Sequence, residues 1–364
     1  MALNQGKVLI ATGGTGGHVF PAQALGTELM EMGYEVLFVG GGLESNRYFN
    51  RERFSYRQIA SATPFKGNFF KSLYHMGKGI WQSLKVLGQF QPDIVIGFGS
   101  YHSFPVLCAA SWKKISIALF VPDAIPGRVN RFFAKKALFS AVQFNTAGQQ
   151  LGGNIIEVKM PMINKKQHDP AAARDYFYLD PGLFTFFVFG GSQGSESINT
   201  LFSKSIEKVA APQTFQVIHV AGKSQSAERI RRQYEQAGIR ACVKVFEERM
   251  DLAWSAANAV VCRSGAAALA EMLTFGVPGI LIPFPQAADD HQTKNALFIE
   301  KNVGGAIACP ESSLSVDRLK ELLEQFMLPE QLTQMKAAMA SFKQDQSKPA
   351  LSTLICDTLA KRSL

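Results

Sequence analysis

The chain has 364 residues, of which 47% are hydrophobic, 18% charged and 11% aromatic. At about 100–200 residues per domain this length suits two domains, and the composition excludes disordered, collagen-like and low-complexity classes. The charge is polarised: residues 1–163 hold 16 basic and 8 acidic side chains, or +8, while the remainder hold 22 and 21, or +1, so a basic N-terminal half faces either solvent or an anionic surface.

Along the chain, short apolar runs bounded by Gly and Pro alternate with stretches of helical periodicity, the pattern of βα units around a parallel sheet. The first half predicts strands at 7–11 (KVLIA), 35–40 (EVLFVG), 93–99 (DIVIGFG), 115–121 (ISIALFV) and 141–145 (AVQFN). A second series follows at 183–191 (LFTFFVFGG), 216–222 (QVIHVAG), 242–248 (CVKVFEE), 258–265 (NAVVCRSG) and 279–285 (GILIPFP). Residues 160–177 between them are polar and Pro-bearing, which places a boundary near 160–170 and gives two doubly wound α/β halves. Helices are predicted at 314–326, 329–342 and 347–361, with a break at Asp345, Ser347 and Pro349. The last carries Leu351, Leu354, Ile355 and Leu359 on one side and needs an apolar surface to cover. The expected division is therefore 1–163, 164–345, and a terminal helix over 346–364 that folds back onto the first domain.

The five cysteines are widely spaced, odd in number and without a CxxC pair, which fits a reducing compartment and argues against a zinc ribbon. The N-terminus has a four-residue apolar run, too short for a signal peptide, and no apolar stretch approaches the length of a membrane span. The expected location is the cytoplasm, with any membrane attachment peripheral.

The loops after the predicted strands carry the chemistry. ATGGTGGHVF (11–20) joins the first strand to a helix, and Gly13, Gly14, Gly16 and Gly17 permit close backbone approach beside a helix N-terminus that attracts anions. It is not a dinucleotide fingerprint, because Val19 stands at the sixth position from Gly14, and Val217 excludes a Walker loop ending at Gly222-Lys223-Ser224. His18 lies in this loop, at the strand end where open α/β sheets bind ligands. FGGSQGSESIN (189–199) repeats the strand–turn–helix arrangement and offers Ser192 to a phosphate oxygen. In CRSGAAALAE (262–271) the amides of Ala266, Ala267 and Ala268 open a helix suited to a diphosphate, and Glu271 lies within reach of ribose hydroxyls. PFPQAADDHQTKNA (283–296) clusters Asp289, Asp290, Gln292 and Asn295, a set suited to sugar hydroxyls. There is no Asp-x-Asp and no convincing metal spacing, so no cofactor or metal is expected and helix dipoles would stabilise a leaving diphosphate.

Residues 64–90 interleave Phe69, Phe70, Leu73, Trp81 and Leu84 with Lys66, Lys71, Lys78 and Lys85. Aromatic wedges among lysines suit an interfacial anchor on an anionic leaflet; a core helix with snorkelling lysines is the alternative. The basic residues form no recognised nucleic-acid motif, and no nucleic-acid partner is expected.

GGTGGHVFPA (13–22), GFGSYHSFP (97–105), GGSQGS with Asn199, HVAGK (219–223), CRSGAAALAE and PFPQAADDHQTKNA together resemble the MurG family of bacterial N-acetylglucosaminyltransferases, in register from about residue 6 to 310. The resemblance implies a two-domain glycosyltransferase B fold. It further implies UDP-N-acetylglucosamine on the C-terminal half and undecaprenyl-linked lipid I on the N-terminal half, at the cytoplasmic face of the inner membrane. The implied reaction is an inverting, metal-independent transfer to the 4-hydroxyl of muramic acid, giving lipid II. Position by position, His18 matches the candidate base. Gly13, Gly14, Tyr101, Ser103 and Asn130 match the acceptor side. Thr15, Gly16, Gly17, Asp123, Ser192, Ala266, Ala267, Ala268, Leu269, Ala270, Glu271 and Gln292 match positions that serve the donor.

Departures from the family pattern fall near the donor. Asp123 replaces an amide, Ile163 stands where a basic residue is usual, and Glu247-Glu248-Arg249 replaces an apolar residue and an Asp pair. Lys165, Lys166 or Arg249 could make up the missing positive charge. A glycolipid glycosyltransferase or UDP-N-acetylglucosamine 2-epimerase on the same scaffold, and a non-catalytic sugar-nucleotide-binding protein, are the rival readings.

Overall fold

The computed structural model describes residues 5–14, 16–62, 69–163, 165–343 and 348–362, so Thr15, Lys66, Asp345 and Ser347 lie outside the described residues. The chain forms two units, residues 1–163 with 347–364, and residues 164–346.

The first unit runs β1 (Lys7–Ala11), α1 (Gly16–Glu31), β2 (Glu35–Gly40), β3 (Tyr56–Gln58), α2 (Phe69–Phe90), β4 (Ile94–Gly97), α3 (Phe104–Trp112), β5 (Ser116–Val121), α4 (Arg128–Phe133), β6 (Phe139–Val142), α5 (Asn145–Gly148) and β7 (Ile155–Glu157). Its parallel sheet has the order β3-β2-β1-β4-β5-β6-β7. The central strands are apolar throughout because helices cover both faces, and Leu9, Ile10, Val95 and Ile96 are fully buried. The order reverses beside β1, so the loops after β1 and β4 flank the crevice at which ligands bind in such sheets.

The second unit runs α6 (Pro170–Tyr176), β8 (Phe184–Phe189), α7 (Glu196–Ile206), β9 (Phe215–Val220), α8 (Ser224–Gln236), β10 (Arg240–Lys244), α9 (Met250–Ala256), β11 (Ala259–Cys262), α10 (Ala266–Phe275), β12 (Gly279–Leu281), α11 (His291–Phe298), β13 (Ala306–Ala308), α12 (Val316–Met327) and α13 (Pro329–Lys343). Its parallel sheet, in the order β10-β9-β8-β11-β12-β13, reverses beside β8 and puts the loops after β8 and β11 at the corresponding crevice. Both units are doubly wound α/β folds.

The last helix, α14 (Leu351–Ala360), belongs to the first unit, where Leu351, Ile355 and Leu359 join the core formed by Ile10, Leu25 and Phe38. Ser352 Oγ donates to Glu28 of α1 at 2.7 Å, and the Lys159 amide donates to the Pro349 carbonyl at 3.0 Å.

The strand expected at 141–145 is Phe139–Val142, and the chain turns into α5 at Asn145. Buried Ser140 interrupts the apolar pattern inside this strand and disguises it in the sequence. The strands β3, β7 and β13 have no expectation in the sequence, because three residues are too few to show a strand period.

Candidate active site

In the first unit the loop after β1 carries Gly13 and Gly14 into α1, with Gly16 buried and Gly17 exposed at the helix start. His18 is the third residue of α1, half-buried, and its carbonyl accepts from Thr12 Oγ1 at 3.2 Å. Asn46 Nδ2 donates to the Gly14 carbonyl at 2.7 Å and pins the loop from the β2 side. The loop after β4 faces it: a Cβ at Gly99 would lie 3.3 Å from Asn130 Nδ2 and 3.7 Å from His18 Cε1. Asn130, buried at the start of α4, donates through Nδ2 to the Phe120 carbonyl at 3.4 Å, while its buried Oδ1 has no partner among the described residues. That oxygen is suited to a hydroxyl donor. His18 and Asn130, far apart in the sequence, thus converge at one strand edge.

Two expected acceptor residues do less. Ser103 is fully buried and spends its hydroxyl on the Gly99 and Ser100 carbonyls, shaping the turn before α3. Tyr101 packs against the apolar core beneath α3. Asp123 is half-buried in the loop after β5.

The turn of the second unit from Gly190 to Ser195 is held by steric fit. A Cβ on Gly194, whose φ is +72°, would meet the Ala221 carbonyl oxygen at 2.7 Å and Gly222 Cα at 2.9 Å, so the turns after β8 and β9 touch backbone to backbone. Ser192 is half-buried in this turn. Beneath it, Asn199 Nδ2 donates to the Ala221 carbonyl at 3.0 Å, and His219 lies between Asn199 Oδ1 (3.1 Å) and the Tyr234 hydroxyl (2.8 Å). Complete burial pushes His219 down to about 3, so this ring is a neutral strut at physiological pH.

Arg263, at the end of β11, has no role of its own in the sequence reading. It is nearly buried and joins three loops. Its Nη2 donates to Ser195 and Ser197 hydroxyls at 2.8 and 3.0 Å, its Nη1 donates to the Pro283 carbonyl at 2.9 Å, and the guanidinium forms an ion pair with Glu311 at 2.6 Å. The signal in the sequence is a lone basic residue directly after the buried run Ala259–Cys262. Next to it the uncapped α10 presents the amides of Ala266, Ala267 and Ala268, because the first intrahelical bond at this end runs from Leu269 to Gly265 (3.1 Å). Leu269 and Ala270 are buried, and the Leu269 amide is already used, so they support this surface from behind.

Glu271 sits one turn further along α10, and its Oε2 accepts from Trp254 Nε1 at 2.8 Å. Trp254 is itself fully buried against Phe187 and Phe189. Gln292 Oε1 accepts from the Phe284 amide at 3.0 Å, which orients its NH2 group, and its carbonyl accepts from Ser264 Oγ at 2.8 Å. Asp289 and Asp290 both adopt left-handed φ (53° and 54°), and Asp290 accepts from Thr293 Oγ1 at 2.6 Å, so the pair forms the turn into α11. Among the described residues no group of three or more His, Cys, Asp or Glu is placed to hold a metal ion.

The departures are accommodated locally. Buried Glu247 pairs with Lys244 Nζ at 2.5 Å and accepts from the Arg249 amide at 2.7 Å. Arg249 is bound through Nε and Nη2 to both oxygens of Asp251, each at 3.0 Å, and His168 Nε2 meets the same carboxylate at 2.6 Å. Arg249 is therefore already neutralised, which leaves Lys165 and Lys166, both exposed, as the alternatives for the missing charge.

Outside the two crevices, α2 exposes Phe70 (79%), Leu73, Tyr74 and Trp81 (66%) beside Lys71, Lys78 and Lys85. The opposite face of α2 is seated through Ser72, Ser83 and Leu87. Trp81, Leu84, Lys85, Trp112 and Lys113 line one groove, so α3 extends the patch. Phe69 is the first residue of α2.

Profiles described as the glycosyltransferase family 28 N-terminal and C-terminal domains match residues 8–141 and 185–350. A protein of Protochlamydia amoebophila named UDP-N-acetylglucosamine–N-acetylmuramyl-(pentapeptide) pyrophosphoryl-undecaprenol N-acetylglucosamine transferase is 38% identical, covering 98% of this chain and 97% of its own. The chain belongs to the MurG family. A protein of the same name from Chlamydia muridarum is 31% identical over 97% of this chain and 98% of its own. The crystal structure of Acinetobacter baumannii MurG superposes with a TM-score of 0.78 at 25% identity, covering 98% and 99% of the two chains. The likeness to Os79 of O. sativa, with a TM-score of 0.72 at 12% identity over 97% and 99%, shows the shared glycosyltransferase B fold alone.

Burial raises the Glu271 carboxyl to about 7 from its ordinary 4.5, against the opposing pull of the Trp254 hydrogen bond. The folded protein therefore holds this proton more tightly than the unfolded chain. The stability it contributes is full below about pH 4.5 and is lost as pH rises through about 7. Glu271→Gln is expected to flatten the decline in unfolding midpoint between about pH 5 and pH 8; an undiminished decline would place that titration elsewhere.

Proposed function

We propose that this protein transfers N-acetylglucosamine from UDP-N-acetylglucosamine to the 4-hydroxyl of muramic acid in undecaprenyl-linked lipid I, giving lipid II for peptidoglycan. The observation that carries this reading is full-length identity of 38% to a relative whose name states that activity. The acceptor-side strings, which a glycolipid glycosyltransferase or an epimerase would not require, agree with it.

The second unit serves the donor. The amides of Ala266–Ala268 and the turn around Ser192 give hydrogen bonds to the diphosphate, Glu271 receives ribose hydroxyls, and the oriented NH2 group of Gln292 meets the sugar. The first unit serves the acceptor through Gly13, Gly14, His18 and Asn130. The acceptor oxygen attacks the anomeric carbon, the bond from that carbon to the β-phosphate oxygen breaks, and its electron pair leaves with UDP. The acceptor proton passes to His18, the candidate base, and direct displacement inverts the anomeric centre. Charge on the departing UDP is met by fixed amide dipoles of α10, so the chemistry makes no demand on a metal ion.

The patch on α2 and α3 gives the basic first unit a surface for an anionic leaflet, which makes the protein a peripheral enzyme at the cytoplasmic face of the bacterial inner membrane. No helix among the described residues is long and apolar enough to cross a membrane.

Transfer of labelled sugar from its UDP carrier to a short-chain lipid I analogue is expected to proceed in excess EDTA and to fall about 100-fold or more in His18→Ala. Abolition by EDTA with rescue by Mg²⁺ would overturn the helix-dipole account, and absence of transfer despite UDP binding would overturn the assigned acceptor. Changing Phe70, Trp81 and Trp112 together to Ser is expected to release the protein from vesicles containing phosphatidylglycerol while leaving its circular dichroism unchanged. Undiminished vesicle binding would return α2 to a purely structural role.

A further inference from the structure

His102 is a titratable group at the acceptor crevice that the mechanism above leaves unused. It lies in the loop after β4, and its half-buried ring is set against the glycine loop after β1. A Cβ on Gly13 would meet His102 Cβ at 2.8 Å, and one on Gly14, whose φ is +88°, would meet His102 Cδ2 at 3.0 Å and Nε2 at 3.5 Å. A Cβ on Gly41 would strike both Ser61 Oγ (1.8 Å) and His102 Nδ1 (2.8 Å). The glycines on this side of the sheet therefore make room for an imidazole as much as for a ligand.

The ring is also fixed in orientation. Ser61 Oγ, arriving from the segment after β3, is 2.8 Å from His102 Nδ1. Ser100 adopts a left-handed φ of 64°, accepts from the His102 amide at 3.3 Å and donates to the Gly13 carbonyl at 3.4 Å. A non-glycine residue in that conformation is strained, and such strain is retained where the surrounding structure needs the geometry. With Nδ1 committed to Ser61, Nε2 is the ring atom left for a ligand, and it lies beside Gly14.

We propose that His102, held by Ser61, is a contact for the diphosphate of the lipid-linked acceptor, donating a hydrogen bond from Nε2 to a phosphate oxygen at the Gly13–Gly14 loop. This rests on the acceptor assignment made above. In the tautomer this contact requires, Ser61 Oγ–H donates to Nδ1 and the proton of the neutral ring sits on Nε2, facing the ligand. Burial first, and then the nearby His18, lower the His102 imidazole from its ordinary value, so the ring is neutral in the empty site. Of the groups packed around it, Gly13, Gly14, Gly41, Ser61 and Ser100 carry no charge, and His18 is the titratable one that bears on it. Arrival of a phosphate anion favours the imidazolium and turns the contact into a charge-assisted hydrogen bond, with a proton taken from solvent.

Two measurements on the full chain test this. Calorimetric titration with geranyl diphosphate at pH 7.5, in two buffers of different ionisation heat, is expected to show proton uptake by the wild type. It should show about 10-fold weaker binding without uptake in His102→Gln, and an intermediate loss in Ser61→Ala. Equal affinity in wild type and His102→Gln would overturn the proposal. In the transfer assay, His102→Gln is expected to raise KM for the lipid I analogue about 10-fold, with kcat and the donor KM within about 2-fold. A fall in kcat at unchanged acceptor KM would also overturn it, by placing the ring at the reacting hydroxyl. If the wild type binds geranyl diphosphate but transfers no sugar, the assigned reaction fails while the titration still decides the contact.

Discussion

Gly194 and Gly222 meet without side chains, and the strand edge of the second unit depends on that meeting. At these distances a methyl group on either residue would drive the turns after β8 and β9 apart. The contact brings the Gly190–Ser195 turn down onto the sheet edge, where Arg263 ties Ser195 and Ser197 to the loop after β12. The open end of α10 and the oriented amide of Gln292 are held at the same edge. An amide dipole that is already in place when charge develops needs no reorganisation, which is why a rigid arrangement of this kind suits a departing diphosphate.

Charge is managed in the same spirit in both units. Buried Arg263 is paired with Glu311, buried Glu247 with Lys244, and buried Asp251 with the exposed Arg249, so these charged groups have their partners within the second unit. The groups at the two strand edges are of a different kind: amides, Asn130 Oδ1, an imidazole at His102 lowered by burial, and a carboxyl at Glu271 raised by burial to about 7. In each unit burial shifts these groups away from their charged forms, which lowers the cost of keeping bare ions half-buried.

The fold is largely legible in the sequence because a parallel sheet covered on both faces demands unbroken apolar strands, and KVLIA and EVLFVG coincide with β1 and β2 to the residue. Strands are misplaced or missed where that demand lapses: at buried Ser140 in β6, at the half-buried β10, expected at 242–248 and found at Arg240–Lys244, and along the short β3, β7 and β13. The site divides in the same way. Loops that announce themselves by glycine and by position, such as 13–18 and 262–271, can be read directly. Arg263 and His102 cannot, because their meaning lies in partners such as Ser195, Glu311 and Ser61 that only the folded chain brings near. Ser103 illustrates the converse: it belongs to a recognisable string, yet its hydroxyl is consumed by the turn it shapes. Arg249, a plausible replacement for a missing positive charge by sequence, is matched to Asp251 once folded.

The most direct test of the account is calorimetric titration of UDP into the wild type and Gly194→Ala in the presence of EDTA, with unfolding monitored in parallel. The wild type is expected to bind UDP without metal. The variant should bind at least about 10-fold more weakly while remaining folded, because the added methyl displaces the turn that carries Ser192. UDP binding by Gly194→Ala as tight as by the wild type, or binding by the wild type only after a divalent cation is restored, would contradict it.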